Sequence, residues 1–174
     1  MDLLEIMLNR RSVRTYTGEK IEDEKLEMIL KAGLAAPSGR RRRPWEFIVV
    51  RDKETLARMS ESRKFGAGML TGADCAIVVV ADEEKTDVWI EDCSIAMAYM
   101  HLMADSLGVG SCWIQGRLRT APDEVTTEEK LRKLLGFPES YRLEAILSLG
   151  VSKEHPEART VEDLPDGKIH PEKF

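Results

Sequence analysis

Cys75-Ala-Ile-Val-Val-Val-Ala81 runs for seven residues without a polar side chain. A strand with one face in water alternates apolar and polar residues, so an unbroken run marks a strand covered on both faces. Just downstream, residues about 87–107 read as the longest helix. Its small and apolar residues (Ile95, Ala96, Ala98, Tyr99, Leu102, Met103) leave little polar surface. That pattern predicts a central, buried helix, with Gly108 placed as its C-terminal cap.

Upstream, Asp2 can cap a first helix whose apolar face is Leu3, Leu4, Met7 and Leu8. A second helix fits about 22–36, with Leu26, Ile29, Leu30, Gly33 and Leu34 at helical spacing, and stops at Pro37. After the loop Ser38 to Pro44, residues about 45–51 are too few and too β-branched for a helix and read as a strand. Asp52 caps a short helix reaching about Ser60. Gly66, Gly68 and Gly72 mark a flexible or closely approached stretch. Downstream lie a strand near 110–115, a helix near 127–135 capped by Thr126 or Thr127 and closed by Gly136, and a strand near 143–149. Helices and strands mix without strict βαβ alternation, which predicts an α+β fold.

At 174 residues the chain has room for one domain spanning 1–174. After Gly150 the composition turns to Lys, Glu, Pro, Asp and His, with little to bury, yet the chain ends in Phe174. Residues 151–174 therefore read as an extended arm anchored elsewhere, on a partner copy. The net charge of −5 excludes a global basic footprint for nucleic acid. Cys75, Cys93 and Cys112 are sparse and unpaired in spacing, so they read as reduced, mostly buried thiols rather than a zinc site or disulfide scaffold. His101, His155 and His170 are scattered and offer no ligand pattern. No signal-peptide layout opens the chain, and the apolar stretch Cys93 to Ala104 is well short of a bilayer span. The expectation is a soluble, cytoplasmic protein with no membrane partner.

Three constellations carry candidate chemistry. Arg10-Arg11-Ser12-x-Arg14 ends the first helix. Forked donors beside a hydroxyl suit a phosphate dianion, although taken alone such a cluster is more commonly a solvated basic helix end. The loop Ser38-Gly39-Arg40-Arg41-Arg42-Arg43 is held between Pro37 and Pro44-Trp45. Four adjacent arginines repel, so anions, carboxylates or full solvation must offset them. Position between a helix and a buried strand reads as a structured loop of the kind that carries sites. Third, Gly108-Val-Gly-Ser-Cys-Trp-Ile114-Gln115-Gly116 either caps a helix and ends a strand, or presents backbone N–H groups at Gly116 to a planar ligand.

Taken together, in this order and spacing, the three segments resemble the FMN-dependent nitroreductase family. Members show Arg-(Arg/His)-Ser-x-(Arg/Lys), then Ala-Pro-Ser-x-x-Asn-x-(Gln/Arg)-Pro-Trp-x-Phe, then Gly-x-Gly-Ser-Cys. The tail Leu164-Pro165-Asp166-Gly167-Lys168-Ile169-His170-Pro171-Glu172-Lys173-Phe174 is similar to that of a short subgroup. The resemblance implies a central, mostly antiparallel sheet flanked by helices, with the C-terminal arm exchanged in a homodimer. It implies FMN, with NADH or NADPH as hydride donor and a small electron-poor acceptor such as a nitroaromatic, a quinone or another flavin. Arg10, Arg11, Ser12 and Arg14 would hold the phosphate and ribityl end. Ser38, Gly39, Arg41 and Arg43 would pass along the flavin edge, partly from the other subunit. Ile114, Gln115 and Gly116 would face flavin N5, and Arg159, or Lys168 in second place, would complete the phosphate site.

Two departures stand out. Arg41 occupies the position of an Asn that bonds the flavin ring in many relatives, and Arg43 one that is often Gln. A guanidinium has donors only and cannot accept the flavin N3–H, so that contact must be rearranged. Phe65 to Gly68 also lacks the Asn and Lys that larger relatives place near the flavin. An extended loop would alternate its side chains, turning Arg41 and Arg43 inward and Arg40 and Arg42 outward. Rival readings are a same-fold enzyme with another reaction (dehalogenation, enoate reduction or flavin destruction) and a non-enzymatic FMN-holding or nucleic-acid-binding protein.

Overall fold

The computed structural model describes residues 2–174. Its elements, in order, are α1 (Leu3–Asn9), α2 (Asp23–Leu34), β1 (Trp45–Val50), α3 (Lys53–Ser60), β2 (Cys75–Asp82), α4 (Trp89–Ser106), β3 (Gly110–Gln115), α5 (Thr127–Leu135) and β4 (Tyr141–Gly150). The four strands form one sheet in the order β1-β2-β4-β3, antiparallel throughout.

Strand β2 is central and every residue from Cys75 to Ala81 is buried, as an unbroken apolar run requires. Ile77, Val79 and Ala81 face α2 and α4, together with Ala145, Leu147 and Leu149 of β4. Ala76, Val78 and Val80 face the other way, onto Leu56 and Met59 of α3 and Leu131 of α5. The sheet is therefore the middle of three layers. Each of the buried Val, Ile, Leu and Met side chains among these contributes roughly 1.5–3 kcal/mol by burial. Between α2 and α4 the packing is close enough that a Cβ on Gly33 would fall 2.8 Å from Met100.

The capping signals act where the sequence puts them. Asp2 accepts from the Glu5 N–H at 2.8 Å while Glu5 reaches back to Asp2, Asp52 caps α3, and Thr126 with Glu129 caps α5, which Gly136 closes in a left-handed turn. Cys75, Cys93 and Cys112 are free and buried. No described helix is long and apolar enough to cross a membrane.

Helix α4 differs from expectation in one respect. Its Trp89, Cys93, Ala96, Met97, Met100 and Ala104 stripe is buried, but Ile95, Ala98 and Tyr99 are exposed. Next to it α1 buries none of its residues, and Leu3 is 63% exposed. Between them lies an apolar groove of about 310 Å³, lined by Leu3, Ile6, Met7, Tyr99, Leu102 and Met103 among others. Within one chain the central helix is thus covered by the sheet and by α2, and its Ile95–Tyr99 side stays open.

The segment after Gly150 begins by lying along the N-terminal segment. Thr17 N–H donates to Val151 O at 2.9 Å, and Lys153 N–H to Thr15 O at 3.2 Å. From Glu157 onward every residue is exposed, Phe174 included, whose ring centroid lies 4.4 Å from that of His170.

Candidate functional site

Helix α4 and strand β3 run antiparallel, because the connection Leu107–Val109 is too short for anything but a reversal. Two separate groups of polar residues follow, one at each end of this pair.

The first gathers where α4 ends and β3 begins. Ser12 bridges Ser111 in parallel fashion, and the Val13 N–H donates to the Ser111 carbonyl at 2.9 Å. That contact fixes Arg10, Arg11, Ser12 and Arg14 against the outer edge of β3. The Arg10 guanidinium lies 2.9 Å from His101 Nε2, and His101 Nδ1 lies 2.5 Å from the Ser111 hydroxyl. Arg11 donates to the Glu157 carbonyl, and the Arg159 N–H donates to Leu8 O at 3.0 Å. The arm thereby brings Arg159 to the same place. Burial first, and then the nearby Arg159 and Arg11, pull the Arg10 pKa below its usual range, while Asp105 opposes them. Asp105 itself accepts from Asn9 at 2.7 Å and faces His155 at 3.1 Å. Lys168, the second candidate, sits further along the arm in a short turn, Asp166–Lys168, and is exposed.

The second group lies where β3 ends. Gly116 N–H and Arg117 N–H both donate to the Glu144 carbonyl, at 3.2 and 2.9 Å. The expectation that Gly116 offers a free N–H is therefore corrected, because the strand β4 takes it. In an antiparallel pair the residues alternate between bonding the neighbour and pointing away from it. Gly116 bonds β4, so Gln115, Trp113 and Ser111 direct their backbone groups outward, across the open edge of β3. The Val13 contact to Ser111 confirms that parity. The Gln115 N–H thus faces outward at this end of β3, with Ile114 buried behind it in the core. The Gln115 side chain is held by Trp113 Nε1 at 2.9 Å.

Glu144 is the bulged residue of β4, skipped between the pairs Val79–Ala145 and Val80–Leu143. Its side chain is buried against Ser94 of α4 at 3.5 Å, and its Oε2 has no hydrogen-bond partner among the described residues. Burial raises its pKa, with Arg117 opposing. Asp92, also buried, caps the Gly39 N–H at 2.8 Å and leaves its Oδ2 without a partner among the described residues. Asp92 and Ser94 are two residues apart, about 200° around the helix, so the Ser38 loop meets α4 on a different side from Glu144.

The loop itself is not extended. Gly39–Arg41 forms a tight 3-10 turn, the Ser38 hydroxyl accepts the Arg43 N–H at 3.0 Å, and Arg40, Arg41 and Arg43 take left-handed backbone angles. The expected alternation of inward and outward arginines loses its basis, and all four side chains are exposed. The physical reason is the pair of anchors, Ser38 on Arg43 and Asp92 on Gly39, which curl the segment before Pro44 can lead it into β1. Along α4, Asp92 and His101 are nine residues, or about 14 Å, apart. The arginine loop and the Arg10 group are thus separate within one chain.

The nitroreductase family model matches residues 7–64 and 61–151, which together take in both groups except the arm residues His155, Glu157 and Arg159. The chain belongs to the nitroreductase family. It is 46% identical to an FMN-dependent nitroreductase from Clostridium difficile R20291, whose structure superposes with a TM-score of 0.95 over 98% of this chain and 99% of that one. A relative from Archaeoglobus fulgidus, provisionally named an NADH dehydrogenase/NAD(P)H nitroreductase, is 42% identical over 99% of both chains. The NADPH:FMN oxidoreductase of Vibrio harveyi, solved with NAD+, shares 26% identity with a TM-score of 0.81 over 99% of this chain and 77% of its own. The α+β fold with an antiparallel sheet is that of these nitroreductases.

Sequence reasoning did not single out His101, Ser111, Asp105 or Glu144. A signal for the first was present. His101 and Asp105 stand four residues apart, hence on one face, in the mostly apolar second half of α4. Nothing local, however, could say that Arg10 would arrive there.

Proposed function

We propose that this nitroreductase-family chain is an FMN-dependent oxidoreductase, passing hydride from NADH or NADPH to an electron-poor small molecule, and that it works as a homodimer. The observation that carries this reading is the gathering of guanidiniums at the start of β3. Arg11 and Arg159 are close enough to Arg10 to disfavour its charge. No carboxylate lies within ion-pairing distance of them or of Arg14 among the described residues. Such a group fits a dianionic phosphate, which accepts forked, charge-assisted hydrogen bonds.

Arg10, Arg11, Ser12, Arg14 and Arg159 would hold the phosphate and ribityl end of FMN. Ile114, Gln115 and Gly116 would lie along the ring, with the outward Gln115 N–H as the donor toward N5. From Ser111 to Gly116 the strand spans roughly 17 Å, a length suited to an elongated mononucleotide. Ser38, Gly39, Arg41 and Arg43 would reach the ring edge from a second copy of the chain, since their own Arg10 group is far along α4. The open stripe of α4 and α1 and the exposed arm are surfaces such a copy would cover. When bound, FMN supplies the hydride transfer itself. The chain orients it, shields it from water and places cationic groups where electron density increases. Donor and acceptor would take turns at one stacking site, giving ping-pong kinetics.

The test is direct. Protein reconstituted with FMN should bind one flavin per chain, turn yellow, and oxidise NADH or NADPH only with an acceptor present, giving parallel double-reciprocal lines. A protein that takes up no flavin overturns the reading, and one that binds it yet oxidises neither nucleotide is a flavin carrier. Light scattering that reports a monomer with full flavin occupancy and turnover would sink the dimer.

A further inference from the structure

His101 is a buried histidine, 7% exposed, on the inner face of α4. Both of its ring nitrogens are engaged. Nε2 meets an Arg10 amino group at 2.9 Å, and Nδ1 meets the Ser111 hydroxyl at 2.5 Å. A guanidinium has only donors, so Nε2 must be the lone-pair acceptor. The proton then sits on Nδ1 and is donated to Ser111 Oγ. That assignment fixes both the tautomer and the neutral state of the ring.

The electrostatic surroundings agree. The groups facing the ring are Arg10 from the end of α1, with Arg11 and Arg159 behind it, Asp105 one turn along α4, and Cys112 next to Ser111 on β3. Burial and Arg10 push the His101 pKa down to about 4, with Asp105 opposing. A second cation here would face Arg10 with no acceptor to offer.

Resting on the FMN reading above, we propose that His101 is a positioning residue for the phosphate site. Its neutral imidazole, oriented by Ser111, takes one of the five Arg10 donors and sets the guanidinium fork, leaving the others aimed at the phosphate before any ligand arrives. The arrangement is a relay Ser111–His101–Arg10 running from the sheet edge to the anion. The arginines repel one another, so without this acceptor Arg10 would swing toward solvent.

The experiment compares FMN with riboflavin, which lacks the phosphate, in fluorescence titrations of the flavin-free full chain. His101→Leu should weaken FMN roughly tenfold and leave riboflavin unchanged. His101→Gln, which restores an acceptor at the Nε2 position, should return FMN affinity to within about threefold of the parent. Equal losses for both flavins would mean packing alone, and overturn the inference, as would unchanged FMN affinity in a folded His101→Leu. Should the Leu variant not fold, nitrogen-15 NMR of the parent at pH 7 decides: Nε2 must be unprotonated, and a proton there overturns the relay. Arg10→Ala separates the two levels of argument. If it binds FMN as tightly as the parent, the phosphate-site reading fails. If it weakens FMN while His101→Leu does not, only the relay fails.

Discussion

The two ends of β3 are built on opposite plans. At the Ser111 end each buried polar atom meets another: Arg10 finds His101, His101 finds Ser111, and Asp105 finds Asn9 and His155. At the Gln115 end, Glu144 and Asp92 each leave a buried carboxylate oxygen without a partner among the described residues. A buried polar atom left unpaired costs about 1–3 kcal/mol, so natural structures keep few of them. Within one chain, then, the polar groups at the Ser111 end are paired and two carboxylate oxygens toward the other end are not. The Ser111 end is assembled by the arm and by α1 of the same chain, whereas the arginine loop is curled on another side of α4.

The two ends also titrate with opposite sign. The His101 pKa is lowered to about 4 from 6.5, so between those values the unfolded chain binds the extra proton. Stability contributed by the neutral ring is present above pH 6.5 and is lost as pH falls through 4. The full effect is about 3 kcal/mol, at 1.36 kcal/mol per unit. His101→Gln should remove most of this acid-side slope in the flavin-free protein, measured as urea midpoints between pH 7 and 4. An unchanged slope would place the titration elsewhere and break the comparison.

Gly116→Ala probes the other end sterically. A Cβ there would lie 2.5 Å from Leu143 Cδ2 and 2.8 Å from its Cγ, against a side chain that is fully buried. Overpacking of this kind costs about 1–3 kcal/mol. The melting temperature should fall by several degrees and the Gln115 turn should move. FMN affinity should suffer less than ring-dependent turnover. Equal losses in both would show that the two ends are not separable.

Glu144→Gln should have the smallest effect and the sign opposite to the histidine. Burial raises the Glu144 pKa above its unfolded value, so its stabilising, protonated form is present below about pH 4.5 and lost as pH rises through the folded value. The amide keeps the shape and removes the charge. The variant should match the parent near pH 4.5 and melt slightly higher at pH 8, as thermal scans at both pH values would show. A lower melting temperature at pH 8 would mean that a second copy of the chain, or a proton donor, satisfies the carboxylate.

Much of this was open to reading along the chain. The run Cys75–Ala81, the helix spacing over about 22–36 and the caps at Asp2, Asp52 and Thr126 are short-range signals, and they gave element limits close to those observed. The grouping of Arg10, Ser12 and Arg14 was visible because five residues carry it. The shape of the arginine loop was not, since two anchors through space, Ser38 on Arg43 and Asp92 on Gly39, overrode the extended path that the flanking prolines suggest. Nor was the use of the Gly116 N–H, which depends on the register of β4.

The sequence by itself determined the layers and the family, because periodicity, capping and motif order act within a few residues or are carried by residue identity. Only the tertiary structure decided which groups meet. Arg10 and His101 are 91 residues apart, and Arg159 arrives on an arm with no core of its own. Which N–H of β3 faces outward is a matter of strand parity. Such contacts are set by the packing of whole elements on one sheet, and no local pattern of side chains records them.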